Sequence, residues 1–129
     1  MKKLDNILLI DDDEDFNFFS KRILQRLNCA NEIDIAYNGV EALEILKQKE
    51  TFPNLIFLDI NMFSMNGWEF LNEYQKIPLQ KRKSTVVCML TSSADPDDRK
   101  RALNHGLVNE FEEKPLSENR VKELLLSHF

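Results

Sequence analysis

Three aspartates and a threonine stand where short apolar runs of this chain stop, and a lysine stands at the end of a more polar, strand-like run. Residues 55–58 read Leu-Ile-Phe-Leu and end on Asp59, and residues 7–10 read Ile-Leu-Leu-Ile and end on Asp11-Asp12-Asp13-Glu14. Residues 85–90 give way to Thr91-Ser92-Ser93, and residues 108–113 give way to Lys114-Pro115. Uninterrupted apolar runs of this length are the mark of strands buried on both faces of a parallel sheet. The ends of parallel strands share one edge, and open α/β sheets bind their ligands in the crevice beyond it. A lone aspartate after a strand more often caps a loop, but here four strand ends converge. Two carboxylates about 4 Å apart repel by roughly 4 kcal/mol at an effective dielectric near 20. That is a heavy load for a fold stabilised by about 5–15 kcal/mol in all. A divalent cation relieves it, and an all-oxygen, partly hydrated site suits Mg²⁺. Such a site fits phosphoryl transfer: the metal and Lys114 neutralise phosphate charge, Thr91 donates a hydrogen bond and Asp59 attacks.

The elements that must position these groups alternate along the chain. After the first strand comes a helix whose apolar stripe is Phe16, Phe19, Ile23 and Leu27. Residues 29–32 then connect to a shorter strand at 33–37. Asn38 and Glu41 mark the start of a helix that buries Ala42, Leu43, Ile45 and Leu46. Beyond Asp59 a loop leads to Asn66-Gly67-Trp68-Glu69, a helix start with Asn66 as cap and Glu69 reaching back, followed by Phe70, Leu71, Tyr74 and Ile77. Residues 78–84 read as a loop. Asp95-Pro96-Asp97-Asp98 opens a helix with a cap, a first-position proline and acids facing the dipole. Ala102 and Leu103 are nearly all it offers a core, and Gly106 fits its C-terminal cap. A final helix, capped by Ser117, buries Val121, Leu124 and Leu125. Five strand–helix alternations imply a parallel sheet with right-handed crossovers and helices on both faces.

Size and composition exclude several classes. The 129 residues are 43% hydrophobic and 30% charged, as expected of one soluble globular domain spanning 1–129 with no effector domain. No apolar run approaches the roughly 20 residues of a membrane span, and Met1-Lys2-Lys3 leads into a strand rather than a signal peptide. A cytoplasmic location is expected. The net charge of −5 argues against a nucleic-acid surface. Lys81-Arg82-Lys83 is a solvated loop cluster, and Cys29 and Cys88 lack metal-ligand spacing, Cys88 reading as a reduced core residue. His105 and His128 fall at helix ends and need no role beyond solvation or capping.

Taken in order, Ile-Asp11-Asp12-Asp13, Leu-Asp59-x-Asn-Met, Leu-Thr91-Ser92 and Lys114-Pro115 resemble the receiver domain of two-component response regulators, of the stand-alone, chemotaxis-regulator-like kind. The resemblance runs from about Asp5 to Phe129. It implies a flavodoxin-like, doubly wound five-stranded parallel sheet of order 2-1-3-4-5, and phosphorylation of Asp59 by a histidine kinase or phosphotransfer protein. By the same resemblance Asp12, Asp59 and the Asn61 backbone carbonyl bind Mg²⁺ directly, while Asp11 acts mainly through water. Thr91 and Lys114 contact the phosphoryl oxygens, and Phe111 takes the aromatic switch position. Such a domain catalyses only its own phosphorylation and dephosphorylation, acts as a monomer or weak dimer, and signals to an output protein on the face formed by residues 95–128. Two positions depart from the family pattern. Phe63 stands where a proline is common, which loosens the loop aiming Asn61. Glu112 and Glu113 replace apolar residues and would discourage edge pairing or shape a partner surface.

Two rivals are weaker. A haloacid-dehalogenase-type phosphatase would use Asp11 as nucleophile and Asp13 as acid–base partner, but it needs an acidic metal pair after the lysine, where only Glu118 and Glu123 follow, and it leaves Asp59 idle. A calcium loop beginning at Asp11 fails because Phe16 replaces the required glycine and Arg22 the bidentate glutamate.

Overall fold

The computed structural model describes residues 2–92 and 95–129. Its elements are β1 (Leu4–Ile10), α1 (Glu14–Leu27), β2 (Ala30–Ala36), α2 (Gly39–Gln48), β3 (Leu55–Asp59), α3 (Gly67–Tyr74), α4 (Leu79–Arg82), β4 (Val86–Thr91), α5 (Pro96–Leu103), β5 (Glu110–Glu113) and α6 (Glu118–His128). The five strands form one parallel sheet in the order β2-β1-β3-β4-β5, as the resemblance implies. Because strand side chains alternate, the sheet carries two cores. Leu8, Ile10, Ile56, Leu58, Val87, Met89 and Phe111 pack on one face with α2, α3 and Ala102 of α5. Ile7, Leu9, Leu55, Phe57, Cys88 and Leu90 pack on the other, against α1 and α6.

The helix caps are those expected. The Asn66 side chain accepts from the Glu69 N–H while Glu69 accepts from the Asn66 N–H, a complete capping box. The Asn38, Asp95 and Ser117 side chains cap α2, α5 and α6 by accepting from the Glu41, Asp97 and Arg120 N–H groups. Val121, Leu124 and Leu125 are buried, and both cysteines are buried and free.

Several expectations need correcting. Of the apolar stripe of α1 only Phe19 leaves the core, at 63% exposed: Phe16, Ile23 and Leu27 are partly buried and pack against it, beside the buried Asn17, Ser20 and Leu24. The helix is turned by a polar contact, since the buried Asn17 amide donates to the Asp11 carbonyl at 2.8 Å. Strand β2 starts at Ala30, inside the expected connection, and stops at Ala36; as an edge strand it tolerates Asn31 and Glu32 facing solvent. Four residues of the expected 78–84 loop form the one-turn helix α4, which buries nothing. Gly106 caps no helix: α5 ends through Asn104, whose N–H reaches Lys100 O at 3.1 Å, and no described glycine has a positive φ. Leu103 points outward, so only Ala102 anchors α5 in the apolar core. Ser93, read as part of the end of β4, lies outside the described residues.

Candidate functional site

Pleat parity decides which groups meet. In β1 the residues at odd positions, Ile7 and Leu9, face α1 and α6, so Asp11 follows them to that side; in β3, Leu55, Phe57 and then Asp59 do the same. The register pairs Ile10 with Leu58, which sets Asp11 and Asp59 side by side one step further on. Lys114 leaves β5 next to them through a cis Lys114–Pro115 peptide bond, its N–H donating to Thr91 O at 2.8 Å. Thr91 has the opposite parity. It follows Met89, on the face that holds Phe111 and α5.

The result is a compact acidic pocket. Asp11, Asp12 and Asp59 each offer a carboxylate oxygen, all within 4.8 Å of one another, with Asp11 and Asp59 buried and Asp12 exposed. Lys114 Nζ lies 2.6 Å from Asp11 Oδ2 and 3.3 Å from Asp59 Oδ1. Burial, and then the neighbouring Asp11 charge, push the Asp59 carboxyl up to about 6; Lys114 and the Asn61 N–H pull the other way without cancelling them. Burial likewise raises Asp11 despite its bond to Lys114. For Lys114, burial works against the charged form, but the hydrogen bond to Asp11 and the two carboxylate charges outweigh it and raise its pKa. Three crowded carboxylates thus have one ammonium among them, which reaches only Asp11 and Asp59, and they form a set of hard oxygen donors suited to a divalent cation.

A closely fitted support surrounds the pocket. Asp13 holds the start of α1, its Oδ1 accepting from the Asp15 and Phe16 N–H groups while its own N–H donates to Asp11 Oδ1. Gly67 N–H donates to Ile60 O at 2.8 Å, and a Cβ there would fall 2.7 Å from Asp59 O and 3.0 Å from Ile60 Cα. Only glycine lets α3 start this close to the end of β3. Asn61, Met62, Phe63 and Asn66 line the recess beside Asp12, whose Oδ2 accepts from the Phe63 N–H at 3.2 Å. The Phe63 ring is 99% exposed. The phosphatase alternative loses its remaining groups: Asp13 is spent as a helix cap, and Glu118 and Glu123 pair with Arg26 and Arg120.

Of the sequence-selected residues, Asp11, Asp12, Asp59 and Lys114 come together here. Asn61 stands at the mouth, and buried Thr91 ends the adjacent strand. Phe111 is separate, its ring 7% exposed, with the Arg99 guanidinium carbon 5.9 Å from the ring centroid. Glu112 is held by Arg120 of α6. Sequence reasoning missed Asn17, which grips the Asp11 main chain, and the Phe16 ring, whose centroid lies 4.3 Å from Lys114 Nζ. Both contacts depend on how α1 crosses the sheet, which periodicity does not encode.

Comparison with known proteins agrees with this geometry. Residues 7–126 match the family model of the response regulator receiver domain. The chain belongs to that family. It is 30% identical over 120 residues to the probable methanogenesis regulatory protein FilR2 of Methanothrix harundinacea, covering 90% of this chain and 76% of that protein. It is 32% identical over 111 residues to the sensor histidine kinase CheAY of Helicobacter pylori, covering 86% of this receiver domain but only 13% of the kinase. A two component response regulator from Cytophaga hutchinsonii superposes with a TM-score of 0.91 at 32% identity, covering 98% of this chain and 97% of that one. No described helix is long and apolar enough to cross a membrane.

Proposed function

We propose that this receiver domain takes a phosphoryl group onto Asp59 from a phosphohistidine of a histidine kinase or phosphotransfer protein, with Mg²⁺ in the acidic pocket. The observation that carries the reading is the cluster itself: three carboxylate oxygens within 4.8 Å, with Lys114 reaching two of the carboxylates. The residues fit the ion, because the donors are all oxygen and their mutual repulsion is only partly met by one ammonium. Asp11, Asp12, Asp59 and the Asn61 carbonyl would hold it. When bound, Mg²⁺ supplies charge neutralisation for the incoming phosphoryl oxygens.

The protein's own groups do the rest. With its carboxyl at about 6, Asp59 is mostly ionised at neutral pH and presents a nucleophilic oxygen at the pocket floor. That oxygen forms a bond to phosphorus as the phosphorus–nitrogen bond of the donor breaks, and the imidazole leaves with the bonding electron pair. Lys114 is poised to pair with a phosphoryl oxygen, and the Thr91 hydroxyl to donate to another. Hydrolysis of the acyl phosphate by water returns the free carboxylate, so the domain turns over only its own phosphoryl group.

Output follows from the same parity. Thr91 lies on the α5 side of the sheet, and α5 buries only Ala102 there, its other holds being Arg101 over the Trp68 ring at 4.3 Å and Arg99 over Phe111. Movement of Thr91 and Lys114 toward a phosphoryl group would reset α5, β5 and α6, the face over residues 95–128 offered to an output protein. The test is labelling with a small phosphodonor in Mg²⁺ and in chelator. Wild type should label only with Mg²⁺ and Asp59→Asn not at all; equal labelling of Asp59→Asn would overturn the assignment.

A further inference from the structure

The Lys114 ammonium has three donor directions. Two are spent on Asp11 at 2.6 Å and Asp59 at 3.3 Å, and Phe16 stands against the ammonium with its ring centroid 4.3 Å away. Phe16 is only partly buried, and its own helix turn is fixed at both ends of the contact. Its N–H donates to the Asp13 cap at 3.1 Å, and the next residue, Asn17, is buried and donates to the Asp11 carbonyl at 2.8 Å. One turn of α1 therefore touches both partners of the ion pair: Asn17 holds the Asp11 main chain, and Phe16 walls in the Lys114 head. An aliphatic side chain of similar volume would fill the space, but it would lack the negative face that attracts a cation.

We propose that Phe16 is a positioning residue for phosphoryl transfer, its ring seating the Lys114 ammonium between Asp11 and Asp59, where an incoming phosphoryl oxygen is met. The role rests on the phosphoacceptor reading above, but the seat itself does not. Without the ring, Lys114 keeps its carboxylate partners but gains freedom to swing toward solvent along the α1 side, so the fraction of molecules ready to meet the phosphoryl group falls. Cation–π attractions of this kind correspond to about threefold to tenfold in an equilibrium. The effect should appear in the rate of labelling and depend on aromaticity rather than volume.

The experiment compares wild type, Phe16→Leu and Phe16→Tyr, each first shown to be folded by thermal melting, with Phe16→Met in reserve should Phe16→Leu fail to fold. The first readout needs no donor. The Lys114 ε-methylene resonance, identified by its loss in Lys114→Arg, should be shifted upfield by the ring current in wild type and Phe16→Tyr and should return to an ordinary lysine position in Phe16→Leu. The second is the initial rate of labelling by phosphoramidate at saturating Mg²⁺. Phe16→Leu should be about threefold to tenfold slower than wild type, and Phe16→Tyr within about twofold of it. An unshifted Lys114 resonance in wild type overturns the seat. Equal labelling by Phe16→Leu and wild type overturns the positioning role while leaving the phosphoacceptor reading intact. Absence of label on wild type itself removes the phosphoacceptor reading, and the positioning role falls with it.

Discussion

Asp59→Asn should stabilise the metal-free protein, and by an amount that depends on pH. The Asp59 carboxyl moves from 3.8 to about 6 on folding, chiefly through burial and then through the Asp11 charge. The native state therefore holds a proton that the unfolded chain has already released, and stability falls as pH rises from about 4 to about 6. At about 1.4 kcal/mol for each tenfold change in proton affinity, ionised Asp59 costs the fold about 3 kcal/mol above pH 6. Asparagine keeps the shape and removes the charge. The Lys114 contact at 3.3 Å that it also removes is already included in that shift, which it lowers. A net gain of about 3 kcal/mol at pH 7.5 follows, shrinking toward zero near pH 4. Urea unfolding in chelator, followed by the fluorescence of the single, buried Trp68, measures it directly. Added Mg²⁺ should close the gap, because only wild type offers the full set of carboxylates to bind it. A gap that stays constant from pH 4 to 7.5, or a less stable Asp59→Asn, would refute the reasoning.

Further outcomes are expected. Asp12→Ala should fold normally, since Asp12 is exposed, yet lose most of the Mg²⁺-dependent rise in melting temperature seen in wild type. Lys114→Met should leave Asp11 and Asp59 without a cation and cost about 3 kcal/mol at pH 7.5, with part of the loss recovered near pH 5 in the same urea titrations. Gly67→Ala should cost about 1–3 kcal/mol, because its new methyl meets the backbone of Asp59 and Ile60. Gly39→Ala meets only the Met65 side chain and should cost less; paired thermal melts compare the two. Thr91→Ala should still label on Asp59, but amide exchange over 95–113 should respond less to beryllofluoride than in wild type, and an equal response would exclude Thr91 as the link.

Where chemistry falls at strand ends, this sequence is easily read. Ile7 to Ile10 and Leu55 to Leu58 are apolar at every position because both faces of a central parallel strand are covered, so the first charged residue after each run marks the sheet edge. Three such runs mark Asp11, Asp59 and Thr91 as lying on that edge, and the more polar run before Lys114 adds the fourth group. Strand β2 was harder to read because it lies at the margin of the sheet. Half-solvated, it carries Asn31 and Glu32 within the pairing register, and an apolar-run criterion begins it three residues late.

The misplacing of Phe19 in α1 has a different cause, and it bears on function. Hydrophobic periodicity counts methylenes, and by that count Phe16 and Phe19 outrank Asn17 and Ser20. Yet a buried amide that satisfies a carbonyl at a strand end can contribute about as much as a modest apolar contact, and it is directional where apolar burial is not. The bond from Asn17 to the Asp11 carbonyl fixes the rotation of the helix, and that rotation exposes Phe19 and brings Phe16 against Lys114, almost one hundred residues away in sequence. The acids of the site are legible because each ends its own strand. Their support is not, because it exists only once α1 has packed on the sheet face it shares with α6, and no local pattern records a contact between the first helix and a lysine just beyond the last strand.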